Sequence, residues 1–268
     1  MILPTSSCAW VCRQGNRVTD FVVAKSLFAL GSWEITHLFL DPREHNRLPE
    51  LLDKLSQTAA SRGGERIFLR LQRDDPLVNV TRLSGFFPCI PEALYIRAGR
   101  HVGETEIYSY PSSGPVLLRT KREADEYNLF QLYNATTPPE VRKGVGMTFG
   151  QWMASRGRIQ NRSIELVLEK NGVIRGWLRA YQRSSTGQLA ILIHPDDEGE
   201  LAHFVDFGLA QLPQPRTIFC LVPFSHISLQ HALKFRGFEV KSDFVTLIKA
   251  TAITANEETR FQKAMPFA

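Results

Sequence analysis

Residues 191–209 read ILIHPDDEGELAHFVDFGL: an apolar strand ends at His194-Pro195 and a helical pattern follows at once. A strand that feeds a helix start is a ready anion site, because the first N–H groups of a helix have no partner inside it. This start, however, carries Asp196, Asp197, Glu198 and Glu200, which repel an anion. The stretch WEITHLFLDPREHNRL, residues 33–48, reaches Asp41-Pro42 and then offers Arg43, His45 and Arg47, which attract one. An arginine pairs with phosphate through two parallel N–H bonds. The plain alternative there is a solvated helix end with Asp41 as N-cap and Pro42 at the first helical position. Proton transfer has two candidates on the preceding strand, Glu34 and His37. They are three apart, so a regular strand turns them to opposite faces and only one meets a cleft. His226 and His231 are five apart, poor spacing for one helical face, and are given no role. Ser225 and Ser228 beside them lack the Gly-x-Ser-x-Gly turn of a hydrolase.

The elements that must position these residues occur twice. AWVCRQGNRVTDFVV and ELVLEKNGVIRGWLRA each read as strand, two-residue turn, strand, with Gly15-Asn16 and Asn171-Gly172 as the turns. WEITHLFLDP then matches QLAILIHP, and LPELLDKLSQTA matches ELAHFVDFGLAQL, each with apolar residues at helical spacing. IFLRLQ matches IFCLVP, LSGFF matches FRGFE, and ALYIRA matches VTLIKA. Pro42 and Pro195 are 153 positions apart, Ile67 and Ile218 are 151, and Gly85 and Gly237 are 152. Two homologous units of order β-β-β-α-β-α-β follow. The second has an added front of one strand (VLLR) and two helices (EADEYNLFQLYNAT and FGQWMASR). The expected layout is a truncated unit over 1–110, a linker at 111–115, a full unit over 116–252 and a polar tail at 253–268.

This order resembles the GNAT superfamily of acyl-CoA-dependent N-acyltransferases. The likeness covers a whole domain in the second unit and a copy lacking the first strand and two helices in the first. Gly85-Phe86 and Gly237-Phe238 are its most local marks, since a chain that leaves a helix through the left-handed region favours glycine. The resemblance implies an α/β fold (α+β in stricter terms), with two units that each hold a mixed, mostly antiparallel sheet flanked by helices. It implies transfer of an acyl group from acetyl-CoA or another acyl-CoA to a primary amine. It also places the cofactor at the end of the fourth strand and the turn after it. In this chain that means Phe39, Leu40, Arg43, His45, Asn46 and Arg47 in the first unit, and Ile193, His194 and Gly199 in the second.

The family's phosphate turn is patterned Arg/Gln-x-x-Gly-x-Gly/Ala, so that backbone N–H groups close on the pyrophosphate. In the second unit Asp196–Leu201 reads DDEGEL, and Gly199 alone survives. Two unit charges ~8 Å apart in water interact by roughly 0.5 kcal/mol, so four carboxylates against a doubly charged pyrophosphate cost about 4 kcal/mol unscreened. Physiological salt leaves roughly a third of that, against about 0.3–2 kcal/mol returned by a helix N-terminus. The expectation is that these acids cap their own helix, with Asp197 and Glu200 spaced as a capping box. The first unit has no glycine in its turn, Asn46 and Leu48 standing in those positions. Its charge still suits a phosphate, so it is the better cofactor candidate. Arg142-Lys-Gly-Val-Gly146 imitates the pattern without a preceding strand and reads as a flexible connector. The acidic tyrosine common four residues before the "GF" glycine is replaced by Thr81 and Leu233. Catalysis can survive that loss, since proximity alone carries much of the rate in acyl transfer.

Bulk properties narrow the rest. The chain has 268 residues, 43% hydrophobic and 22% charged, as expected of a soluble globular protein. No apolar run is long enough to span a membrane and no signal peptide is legible. Cys8, Cys12, Cys89 and Cys220 show neither a disulfide framework nor zinc-ligand spacing, which suggests thiols in a reducing cytoplasm and no metal. The net charge of +5 comes without a dense basic run, which argues against nucleic acid as a partner. Much of the excess lies in Arg142, Lys143, Arg156, Arg158 and Arg162. The acceptor amine, small molecule or peptide, is not legible. An internal repeat predicts either a monomeric pseudo-dimer or a homodimer. A GNAT-fold ligand-binding or protein-interaction module without turnover is the alternative function.

Overall fold

A computed structural model describes residues 7–27, 31–41, 47–99, 116–155, 163–213 and 215–251. Arg43, His45 and Asn46, the linker 111–115 and the tail 253–268 lie outside the described residues. By contacts the chain groups into two units. Unit 1 comprises Met1–Leu69, Pro76–Phe87 and Leu247–Ala268, and unit 2 comprises Arg70–Asp75 and Pro88–Thr246.

The first repeat runs β1 (Ser7–Gln14), β2 (Arg17–Ser26), β3 (Ser32–Phe39), α1 (Leu48–Ser61), β4 (Arg66–Gln72), α2 (Leu77–Leu83) and β5 (Phe87–Ala98). That is the order read from the sequence. Gly15 takes φ +61° in the two-residue turn, and Gln14 pairs with Arg17 across it. In α1 the buried residues Leu48, Leu51, Leu52, Leu55 and Ala59 form one stripe at helical spacing. Each buried leucine contributes about 1.5–3 kcal/mol. Pro42, expected at the first helical position, lies outside the described residues. Arg47 is the N-cap of α1 and a proline lies in its first turn, while Asp41 donates its backbone N–H to the buried Asp20 carboxylate at 2.9 Å. β3 is also irregular: His37 pairs with Val23 and Ile35 with Ala24, so Thr36 is an extra, bulged residue. A bulge re-aims side chains, and the facing rule for Glu34 and His37 does not apply to this strand.

The second repeat runs β6 (Val116–Thr120), α3 (Glu126–Thr136), α4 (Pro139–Val145), α5 (Phe149–Ser155), β7 (Ser163–Lys170), β8 (Val173–Arg183) and β9 (Thr186–Ile193). α6 (Leu201–Ala210), β10 (Thr217–Pro223), α7 (Ile227–Phe235) and β11 (Glu239–Ala250) complete it. α4 is a correction. The segment Arg142–Gly146, expected as a loose connector, is the end of this helix and its cap, with Gly146 at φ +52° donating its N–H to the Arg142 carbonyl. Proline at the start and glycine at the end are ordinary helix punctuation.

The strands of unit 2 follow the order β11-β5-β10-β9-β8-β7-β6. β9 and β10 run parallel, and the β5–β10, β8–β9, β7–β8 and β6–β7 pairs are antiparallel. Strand alternation divides its apolar residues between two faces. Leu166, Leu168, Leu178 and Ala180 pack with Phe204 and Val205 of α6 and Leu229 and Leu233 of α7. Val167, Ile174 and Trp177 pack with Leu129, Leu132 and Trp152 of α3 and α5. The strand that closes the first repeat belongs to this core as well. β5 pairs with β10 from Glu92 to Ala98, and its Ala93 and Tyr95 are buried among the α6–α7 face residues. Gly85 and Gly237 both hold the left-handed conformation, φ +85° and +76°, as the two "GF" marks require. Among the described residues, no helix is long and apolar enough to cross a membrane.

Candidate functional site

β9 and β10 are hydrogen-bonded only from Thr186–Leu189 against Thr217–Cys220. Beyond that point both strands continue without pairing to each other, β9 to Ile193 and β10 to Pro223. Two parallel strands that part in mid-sheet leave backbone N–H and C=O groups facing into the opening, and such groups need a partner. Unit 1 has the same device. There β3 and β4 pair only over Ser32–Glu34 and Arg66–Phe68, while β3 runs on to Phe39.

The acidic turn follows β9 in unit 2. It is a 3-10 segment, Pro195–Glu200, capped by His194, whose Nδ1 accepts the Asp196 N–H at 3.2 Å. The self-capping reading of Asp197 is corrected here. Its carboxylate is buried, and it accepts from Lys170 Nζ at 2.8 Å and Arg175 Nε at 2.5 Å. Arg175 also reaches Asp196 at 2.9 Å. The register supplies the reason. Leu168 pairs with Gly176 and Glu169 with Ile174, so Arg175 is the bulged residue of β8. The bulge frees Arg175 to reach the turn. Burial pushes the Asp197 carboxyl up, but Lys170 and Arg175 outweigh burial and hold it below the usual aspartate range. Glu198 accepts a hydrogen bond from Ser228 of α7 at 2.5 Å. Pairing of Asp196 and Asp197 with Arg175 and Lys170 lowers the repulsion that the turn presents to a pyrophosphate, and a helix N-terminus offsets part of the rest. A side chain placed on Gly199 would meet nothing within 4 Å, so the turn is open on that side.

A cavity of about 350 Å³ lies at the parted strands of unit 2. Its wall is mainly apolar, with Ile90 and Pro91 from β5, Leu192 from β9, Pro223 from β10 and Val141 from α4. Three groups in the wall bear on chemistry. Tyr133 of α3 is held above the usual tyrosine range by burial. His226 sits just before α7, and one ring nitrogen, Nε2, lies 3.1 Å from the Thr136 carbonyl. A carbonyl only accepts, so Nε2 carries the proton and Nδ1 keeps its lone pair. Burial pushes His226 below its ordinary value of 6.5, which keeps the ring neutral at pH 7. Glu92 of β5 is 8% exposed, and its Oε2 accepts from Arg70 Nε at 3.0 Å and from Thr246 at 2.9 Å.

Of the residues singled out from sequence, those of the first repeat do not line this cavity. Glu34 pairs with Lys25 at 3.2 Å. His37 is exposed, with Nδ1 3.0 Å from the Thr36 hydroxyl. Phe39 is half exposed and stacks on Phe21, and Leu40 is half-buried beside it. Arg47 caps α1. Ile193 and His194 end β9 at the acidic turn, with Gly199 five residues on. Thr81 is buried and donates to the Val78 carbonyl, and Leu233 is core. Glu92 and His226 were missed as site residues. Spacing along a helix said nothing of His226, because its partner carbonyl is 90 positions away. No group of three or more potential metal-binding side chains occurs among the described residues.

No protein-family model and no curated protein matches this chain. Solved structures do. A tandem GNAT protein from the clavulanic acid biosynthesis pathway is 14% identical, with 94% of this chain and 85% of that one covered and a TM-score of 0.54. A GCN5-related N-acetyltransferase from Sphaerobacter thermophilus is 12% identical over 90% of this chain and 80% of its own, at 0.58. Saccharomyces cerevisiae N-myristoyltransferase, solved with bound myristoyl-CoA, is 13% identical over 91% and 68%, at 0.52. The likeness is therefore one of backbone arrangement, and the fold of this chain is a tandem GNAT-like one.

Proposed function

We infer that this protein is an acyl-CoA-dependent N-acyltransferase whose reaction centre lies at the parted strands β9 and β10 of unit 2. The observation that carries this reading is the cavity at that opening, with a neutral, partly satisfied histidine in its wall. Acyl-CoA fits the residues present. The unpaired ends of β9 and β10 offer backbone groups to an amide-bearing arm, and the turn at Gly199 is open, with Asp196 and Asp197 paired to Arg175 and Lys170. When bound, acyl-CoA supplies a thioester carbonyl. The chain's own contribution is to hold the amine and take its proton. The His226 Nδ1 lone pair suits that role, since a neutral imidazole near pH 7 is a competent general base.

The reading has a direct test. Acetyl-CoA binding is measured by calorimetry at two salt concentrations on wild type, on the Leu192→Trp variant and on the Arg43→Ala/Arg47→Ala variant. Thiol release is then followed with a panel of amines. Salt-sensitive micromolar binding that Leu192→Trp removes, with turnover lowered by about 10²-fold or more in His226→Gln, supports the reading. Binding lost only in the double arginine variant moves the cofactor to unit 1. No binding at several hundred micromolar by folded protein overturns the transferase reading and leaves an interaction module.

A further inference from the structure

Glu92 is a carboxylate in an apolar wall, and its two oxygens differ. Oε2 is used twice, by Arg70 Nε at 3.0 Å and by the Thr246 hydroxyl at 2.9 Å. Oε1 has no partner among the described residues and is not sealed from solvent. The side chain is nine-tenths buried and lines the same cavity as Leu192 and His226. A carboxylate oxygen that no protein donor uses is free to accept from a donor that enters the cavity. Arg70 and Thr246 hold the carboxylate through Oε2, which leaves Oε1 available on a residue that lines the cavity. The rest of the wall, Ile90, Val141, Leu192 and Pro223, offers an apolar body nothing but burial. At the outer side a shallower, more polar hollow shares Thr137, Pro138 and Ser225 with the cavity and carries Arg142. Arg142 makes no ion pair among the described residues, so its charge disfavours a second cation at the mouth.

We propose that the unit 2 cavity is a binding site for a primary amine with a single cationic head and an apolar body, the ammonium donating to Glu92 Oε1. This rests on the transferase reading only for what happens to the amine afterwards; the binding site stands or falls by itself. Glu92 is a binding residue in this scheme. It holds the amine beside His226, and loss of a proton to the imidazole leaves a neutral nitrogen nucleophile. The class selected is aliphatic or aromatic monoamines, and polyamines are rejected by the apolar wall and by Arg142.

The experiment is calorimetric titration with 2-phenylethylamine, its neutral counterpart 2-phenylethanol, and putrescine, with and without coenzyme A present. In wild type, 2-phenylethylamine is expected to bind at least ~10-fold more tightly than either comparator, a free-energy difference of about 1.4 kcal/mol or more. Glu92→Gln keeps an acceptor for Arg70 and Thr246 and is expected to erase the preference for amine over alcohol. Leu192→Trp, which fills the cavity without touching Glu92, is expected to weaken both aromatic ligands together. Equal binding of amine and alcohol to wild type overturns the proposal. So does an amine preference that survives in Glu92→Gln, tighter binding of putrescine, or no binding of any probe. The selective pattern without thiol release in the acyl-CoA assay would keep this site and remove the transferase reading. Thiol release without the pattern would do the reverse.

Discussion

Asp197 reads differently in the sequence and in the fold. In sequence it is one of four carboxylates at a helix start. In the fold it is a buried acceptor between Lys170 and Arg175. Removing one partner of a buried pair leaves the rest uncompensated, a loss of about 3–5 kcal/mol when both are buried. Lys170 is 42% exposed, so Asp197→Asn is expected to fall short of that range in a denaturant titration. The pair also sets an acid limit. Asp125 is held below the usual aspartate range, chiefly by Arg119, whose guanidinium meets both of its oxygens at 2.7 and 2.8 Å. Asp197 is lowered as well. A carboxyl whose folded pKa is depressed contributes stability that is fully present above its unfolded value and lost as pH falls through the folded one. The stability these two carboxyls contribute is therefore expected to hold down to the ordinary aspartate value of 3.8 and to drop below it. Asp125→Asn should make the drop shallower in pH-dependent denaturation. His226 works in the same direction, at higher pH. Its folded pKa is lowered by burial, so the unfolded chain binds its proton first, and neutral His226 favours the fold as pH rises through 6.5. Titration of its ring resonances by NMR should give a value below 6.5. A value above it would remove His226 as a base that is ready at neutral pH.

At the level of elements, close packing explains which positions tolerate change. A Cβ on Gly208 of α6 would run into Leu178 of β8, so this helix lies on its sheet at a distance only glycine permits. Gly208→Val is expected to destabilise the protein by about 1–3 kcal/mol in thermal or denaturant unfolding, as overpacking does. Gly199→Ala meets open space and should change stability by less than about 0.5 kcal/mol. Any effect it has should be read in acyl-CoA binding. Helix length shows why α4 escaped notice in the sequence while α1 did not. A seven-residue helix carries too few apolar positions to display a period, whereas α1 has four turns and five buried residues in one stripe.

At the level of the molecule, the order of the chain and the grouping of its contacts differ. β5 closes the first repeat, yet it pairs with β10 along seven residues and buries Tyr95 in the core of unit 2. A fragment over 116–252, cut where the sequence repeat divides, would lack this strand. It would expose the edge of β10 and lose the Ala93 and Tyr95 contacts, about 1.5–3 kcal/mol for the tyrosine alone. That fragment is expected to aggregate or to melt well below the full chain, and a chain beginning at residue 70 to do better. A fragment 116–252 with a full-length melting temperature would contradict the role given to β5.

Local signals were legible because they act between neighbours. The two-residue turns, the apolar stripe of α1, the left-handed glycines 85 and 237 and the repeated order of elements all follow from φ/ψ preference and from side-chain periods of 2 and 3.6. These were enough to point to a tandem GNAT-like fold. The site was not legible, because each of its decisive contacts joins distant parts of the chain. Lys170 meets Asp197 across 27 positions, His226 meets Thr136 across 90, and Thr246 meets Glu92 across 154. Whether a carboxylate caps a helix, faces solvent or is held in an apolar wall depends on which donors the fold brings to it. A bulge at Arg175 and the placing of β5 in unit 2 made those choices, and neither leaves a mark in the local pattern of residues.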